Sequence, residues 1–184
     1  MSVLTVANQL TLLRMLLIPA LVILVVYGLN GWALVVLVGA GLTDALDGIL
    51  ARWWGQGTTL GALLDPMADK LLLISTFVVL TIPSLDLPNR LPIWLTVLVI
   101  SRDVIIVVTV AIVNLSIGRR TFKPTLLGKL ATLVYLLTAA VTMYFNWLGR
   151  PSALVDVAIY ATLGVTLVSG LHYIAHASRV LNDV

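Results

Sequence analysis

Four aspartates, Asp44, Asp47, Asp65 and Asp69, fall within one short stretch of largely apolar sequence. The chain has eight acidic residues, all aspartate, so half of its negative side chains are gathered here. An ionisable group in a membrane helix is costly and usually faces a partner or an aqueous cavity. Four carboxylates in one place repel one another unless positive charge sits among them. In and beside the stretch only Arg52 and Lys70 are cationic, too few to neutralise the cluster, so divalent cations are the simplest expectation. Ligands that are all hard oxygen suit Mg²⁺, Mn²⁺ or Ca²⁺. Two ions would balance four carboxylates, which points to two-metal chemistry on a phosphate ester.

The elements that must position these carboxylates are membrane helices. The chain has 184 residues, 60% hydrophobic and 10% charged, with mean hydropathy +1.10, against roughly 25% charged residues in soluble domains. This predicts an all-α integral membrane protein, a single domain over residues 1–184. Six runs approach the roughly 20 apolar residues that a span requires: Leu10–Leu29, Trp32–Trp53, Leu60–Ile82, Ile93–Leu115, Thr125–Leu148 and Ala153–His176. Asn30-Gly31, Gly55–Gly57, Pro83–Pro92, Gly118–Pro124 and Gly149–Pro151 read as the breaks between them. Ser2–Gln9 reads as a short interfacial segment, and the first run, with no cleavage site after it, is expected to be retained. With the N-terminus inside, Arg14, Arg52, Arg119, Arg120, Lys123 and Arg179 lie on the inner side and Arg90 and Arg150 on the outer. The positive-inside rule then puts both termini, and the opening of the aspartate cavity, in the cytosol. The absence of cysteine excludes disulfides and thiolate metal sites. A net charge of +3, with the basic residues near span ends, suits lipid headgroups or phosphates rather than nucleic acid.

Spacing arranges the cluster further. Asp44 and Asp47 are i and i+3, on one face of the second helix. Gly61, Asp65 and Asp69 are i, i+4 and i+8, one stripe on the third. Counted from the tight turn between these helices, the two pairs lie at overlapping depths of about 12–17 Å and about 15–21 Å. Gly48, Ala51 and Gly61 leave room for a ligand against the helices, or for close helix packing. Arg52 offers a fork suited to phosphate.

The stretch resembles the signature of the CDP-alcohol phosphotransferase family, D-x2-D-G-x2-A-R-x8-G-x3-D-x3-D, with every fixed position filled by Asp44, Asp47, Gly48, Ala51, Arg52, Gly61, Asp65 and Asp69. The resemblance implies six helices around a polar, metal-binding cavity. It also implies transfer of a phosphatidyl group from CDP-diacylglycerol to a hydroxyl, releasing CMP. Asp44, Asp47, Asp65 and Asp69 would hold two Mg²⁺ or Mn²⁺ ions, with Asp69 also the general base. Asp47, Gly48, Ala51, Arg52 and Gly61 would line the cytidine diphosphate. A homodimer in a bacterial inner membrane, or a mitochondrial inner membrane facing the matrix, is the family expectation.

The flanking motifs Asn8–Arg14 and Asp65-Pro66-Met67-Ala68-Asp69-Lys70 are similar to the glycerophospholipid branch of the family, and Ile100–Val104 and Lys123–Lys129 resemble the eukaryotic-type cardiolipin synthases, whose acceptor is phosphatidylglycerol. Glycerol 3-phosphate is the alternative acceptor, giving phosphatidylglycerophosphate. That branch more often shows A-R-E where Ser101-Arg102-Asp103 stands here, and a second arginine further on that positions 106–117 lack. A divalent-metal transporter is the alternative of another class, but only Asp86 and Asp156 lie toward the outer side, which makes no ladder to the cluster.

Arg14, Arg102, Lys123 and Lys129 are candidates for an acceptor phosphate. For Arg14 the alternative is snorkelling to the interface, and for Arg102 an internal ion pair with Asp103. His172 and His176, at i and i+4 with no acid nearby, read as interfacial anchors.

Overall fold

The computed structural model describes the backbone of residues 6–54, 59–117 and 126–182, and side chains outside 6–8, 10, 44–66, 110–125, 174 and 176–182. Six helices follow in chain order: α1 Val6–Val26, α2 Asn30–Trp54, α3 Thr59–Thr81, α4 Ile93–Ile117, α5 Leu126–Trp147 and α6 Ala153–Asn182. No strand occurs among the described residues. Among them, Leu126–Trp147 and Ala153–Tyr173 are long and apolar enough to cross a membrane, and Thr11–Val26 and Asn30–Thr43 are shorter apolar helices.

Helix boundaries follow local chemistry. Gly28 carries φ 73° and Gly149 φ 66°, a left-handed conformation that glycine adopts without a Cβ clash. At the end of α1, Gly28 N–H donates to Val25 O and Leu29 N–H to Leu24 O. At the end of α5, Gly149 N–H donates to Asn146 O and Arg150 N–H to Phe145 O. Both are Schellman caps, in which two otherwise orphaned carbonyls are satisfied. The first break is therefore made by Gly28, not by Asn30-Gly31, which already form the first turn of α2. Gly31 serves packing instead: a Cβ there would stand 2.7 Å from Trp147 Cδ1. Val6–Gln9, expected as part of a separate interfacial segment, is the first turn of α1. Asp156 lies in the first turn of α6, where a carboxylate meets the positive end of the helix dipole.

The chain forms two compact units, residues 1–90 with 139–151, and residues 91–138 with 152–184. In the first, α1 packs on both α2 and α3. Leu21, Val25, Leu37, Phe77 and Leu80 are fully buried there. The Asn89 and Asn146 side chains close a ring: Asn89 N–H and Nδ2 donate to Asn146 Oδ1, and Asn146 Nδ2 donates to Asn89 O. In the second unit α4 packs on α6.

Along α6 hydroxyl-bearing residues are buried while several large apolar side chains are exposed. In α6 the buried stripe is Val155, Ile159, Thr162, Thr166, Ser169 and Tyr173, while Leu154, Val157, Leu167 and Leu171 are exposed. The buried hydroxyls find partners across helices: Tyr135 Oη with Thr166 Oγ1 at 2.8 Å, and Thr138 Oγ1 with Thr162 Oγ1 at 2.7 Å. In lipid there is no hydrophobic drive to bury leucine, so small and hydroxyl-bearing residues occupy helix interfaces.

Candidate active site

The signature residues lie on two helices that share a neighbour. Asp44, Asp47, Gly48, Ala51 and Arg52 belong to α2, and Gly61, Asp65 and Asp69 to α3. The side chains of all but Asp69 lie outside the described ones. Asp69 is one-third exposed, beside the buried Ala68.

Asp69 is met from α1. Arg14 Nη1 donates to Asp69 Oδ1 at 2.6 Å, and the Arg14 side chain is only 1% exposed. The placement follows from helical spacing. Thr11, Arg14, Leu21 and Val25 share the buried face of α1, and Leu12, Leu13 and Leu16 its exposed one. Arg14 does not snorkel; its guanidinium is inside the packing, where a charge requires a partner. Sequence spacing places Arg14 near one end of a span but gives no sign that its carboxylate lies 55 residues away.

The second buried arginine is Arg102 on α4, 8% exposed. Its Nη1 donates to Asp103 Oδ1 at 2.6 Å and its Nη2 to Ser169 Oγ on α6. Among the described residues its Nε has no hydrogen-bond partner. Arg102 lines a cavity of about 180 Å³ between α4 and α6, with Leu98, Ile105, Ile106, Leu167 and Leu171 supplying its apolar walls. Of the two expectations for Arg102, the ion pair with Asp103 is present. Ser169 escapes sequence reading as a single residue. The hydroxyl series Thr162, Thr166, Ser169, spaced at helical intervals, is the signal that could have found it.

Of the other candidates, Lys129 is exposed on the first turns of α5, and Lys123 lies outside the described residues. His172 is exposed on α6, and the His176 side chain lies outside the described ones.

The comparisons with known proteins agree with the motif. The family model for CDP-alcohol phosphatidyltransferases matches residues 4–169. A cardiolipin synthase (CMP-forming) of Streptomyces coelicolor is 34% identical over 193 aligned positions, covering 97% of this chain and 85% of the relative. A probable phosphatidylglycerophosphate synthase of Mycobacterium tuberculosis is 32% identical over 188 positions, covering 97% and 84%. The human cardiolipin synthase (CMP-forming) is 36% identical over 155 positions, covering 76% of this chain and half of the human protein. The chain belongs to the CDP-alcohol phosphatidyltransferase family. It is a phosphatidyltransferase of phospholipid biosynthesis, from a family of membrane enzymes that are generally metal-dependent.

Proposed function

We propose that the chain transfers the phosphatidyl group of CDP-diacylglycerol to a glycerol hydroxyl of phosphatidylglycerol, giving cardiolipin and CMP. The observation that carries the choice of acceptor is the cavity beside Arg102. A buried guanidinium suits a phosphodiester, and the aliphatic walls suit the chain of a lipid. A small anion such as glycerol 3-phosphate would need a polar, water-filled pocket instead. One observation favours that second reading: the relative named as a probable phosphatidylglycerophosphate synthase is as similar as the cardiolipin synthases.

In this reading residues 1–184 act as one functional domain with six spans, both termini cytosolic, and the enzyme works as a homodimer. The donor set fits divalent metal: it is all carboxylate, split between α2 and α3, and its described member Asp69 remains accessible. Asp44, Asp47, Asp65 and Asp69 would hold two Mg²⁺ or Mn²⁺ ions. When bound, these supply charge neutralisation of the diphosphate.

Asp69 takes the proton of the attacking hydroxyl. The hydroxyl oxygen bonds to the phosphorus that carries diacylglycerol, and the anhydride P–O bond to CMP breaks. Arg52, with Gly48, Ala51 and Gly61 leaving space, binds the cytidine diphosphate. Arg14 holds the Asp69 carboxylate in one orientation, and Arg102 receives the acceptor phosphate, with Lys123 and Lys129 as additional cations for it.

The test is product identification. Purified enzyme with labelled CDP-diacylglycerol, Mg²⁺ or Mn²⁺, and either phosphatidylglycerol or glycerol 3-phosphate should give labelled cardiolipin with the first acceptor. Labelled phosphatidylglycerophosphate alone would transfer the reading to the second.

A further inference from the structure

α6 borders the cavity beside Arg102 from Thr166 to Tyr173, and α4 borders it from Leu98 to Ile106. In lipid no hydrophobic drive fixes one helix against another, so packing and interhelical hydrogen bonds must do so. Two such bonds hold the same face of α6, each from a different helix. Arg102 Nη2, on α4, donates to Ser169 Oγ. Tyr135 Oη, on α5, lies 2.8 Å from Thr166 Oγ1. Thr166 and Ser169 are i and i+3, on adjacent turns of one face. All four residues belong to the second unit.

Proton accounting gives the second bond its direction. A threonine hydroxyl has one proton, and Thr166 donates it to Thr162 O at 2.6 Å. The Tyr135 phenol is therefore the donor to Thr166. Tyr135 and Thr166 are each 2% exposed, so water does not compete for the bond. The phenol also lies within electrostatic reach of Arg102 and Asp103. Tyr135 does not line the cavity, whereas Thr166 does.

A second bridge of the same chemistry lies one turn away. Thr138 on α5 and Thr162 on α6 have their Oγ1 atoms 2.7 Å apart, and neither residue lines the cavity. The two bridges therefore separate two roles, holding α5 to α6 and placing the cavity wall.

We propose that Tyr135 is a positioning residue for the acceptor: through Thr166 it sets α6 against Arg102, a role that rests on Arg102 receiving the acceptor phosphate. Donor binding, on α2 and α3, is independent of it.

The test is steady-state kinetics of the purified enzyme, varying phosphatidylglycerol and CDP-diacylglycerol separately, with thermal midpoints measured alongside. Tyr135→Phe removes the donor and keeps the ring. It should raise the KM for phosphatidylglycerol about two- to tenfold, the range of one interhelical hydrogen bond, and leave the KM for CDP-diacylglycerol unchanged. Thr166→Val breaks the bridge from its other end and should do the same, while Thr166→Ser, which keeps the hydroxyl, should behave as the wild type. Combining Tyr135→Phe with Thr166→Val should add nothing further, because both remove one bond. Thr138→Val should lower the thermal midpoint as Tyr135→Phe does and leave both KM values unchanged.

If Tyr135→Phe fails to fold, Thr166→Val and Thr166→Ser carry the comparison. An unchanged KM for phosphatidylglycerol in Tyr135→Phe and Thr166→Val overturns the proposal. So does an equal rise in Thr138→Val, which would make the effect one of general helix packing. Arg102→Met in the same assay separates this role from the acceptor reading beneath it. If Arg102→Met raises the KM for phosphatidylglycerol and Tyr135→Phe does not, Tyr135 alone loses its role. If Arg102→Met leaves that KM unchanged, or the wild type does not use phosphatidylglycerol, the acceptor reading fails and the role of Tyr135 falls with it.

Discussion

Arg14 in the first unit and Arg102 in the second are both almost excluded from solvent, and each donates from Nη1 to an aspartate at 2.6 Å. They differ in where the aspartate comes from. The partner of Arg14 is on another helix, 55 residues away, and is part of the family signature. The partner of Arg102 is the next residue of its own helix, and only Ser169 ties the guanidinium to α6. The first pair depends on the packing of α1 against α3 and fixes the orientation of one carboxylate. The second neutralises its charge locally, whatever α6 does, on a residue that lines an apolar cavity. In the proposed mechanism the first arginine positions a reactive group and the second receives a ligand.

The largest effect should come from the reactive side of this comparison. Asp69→Asn should lower transfer by about 10²–10⁴-fold, the usual contribution of a general base, with CDP-diacylglycerol binding still measurable by titration. Near-normal turnover would remove Asp69 as base. Arg14→Met should lower kcat by about 10–100-fold with a smaller change in the KM of either substrate, as expected for a misplaced catalytic group. It should also lower the thermal midpoint, because removing one member of a buried pair costs about 3–5 kcal/mol. A KM effect confined to the acceptor would instead make Arg14 a phosphate ligand.

The receiving side should respond in KM. Arg102→Met should raise the KM for phosphatidylglycerol by about tenfold or more, since a charge-assisted hydrogen bond contributes about 1.5–3 kcal/mol. Gly170→Leu probes the cavity itself, because a Cβ at Gly170 would already lie 3.9 Å from Arg102 Cγ. Its larger side chain should impair use of phosphatidylglycerol more than use of a short-chain analogue; equal losses would separate the cavity from the acceptor. Ser169→Ala should be mildest, about two- to fivefold in acceptor KM, because Arg102 keeps its pair with Asp103 and loses only its tie to α6.

The six helices were legible in the sequence to within a few residues at most ends, because a continuous apolar run of span length has few alternatives in lipid. The first turn was displaced. Asn30-Gly31 looks like a break by composition, but the residue that needs a positive φ is Gly28, and Gly31 is required by the indole above it. Composition marks where glycines are, and only the folded backbone separates a conformational requirement from a steric one. The start of α6 at Ala153 was legible, and it puts Asp156 in the first turn of that helix. The Asn89–Asn146 ring joins positions 57 apart, and no local pattern marks it.

The sequence by itself determined the family, through a signature spanning Asp44 to Asp69. The signature gathers its carboxylates, small residues and arginine within two adjacent helices, where helical periodicity relates them without reference to the rest of the chain. It also determined that the described residues fold as helices without strands. Tertiary structure alone decided that Arg14 meets Asp69, that Arg14 is buried rather than at the interface, and that Arg102 borders an apolar cavity. These are contacts between helices far apart in sequence. Within one helix, geometry fixes the neighbours at i+3 and i+4; between helices, the register is set by packing, and packing is not written at any single position.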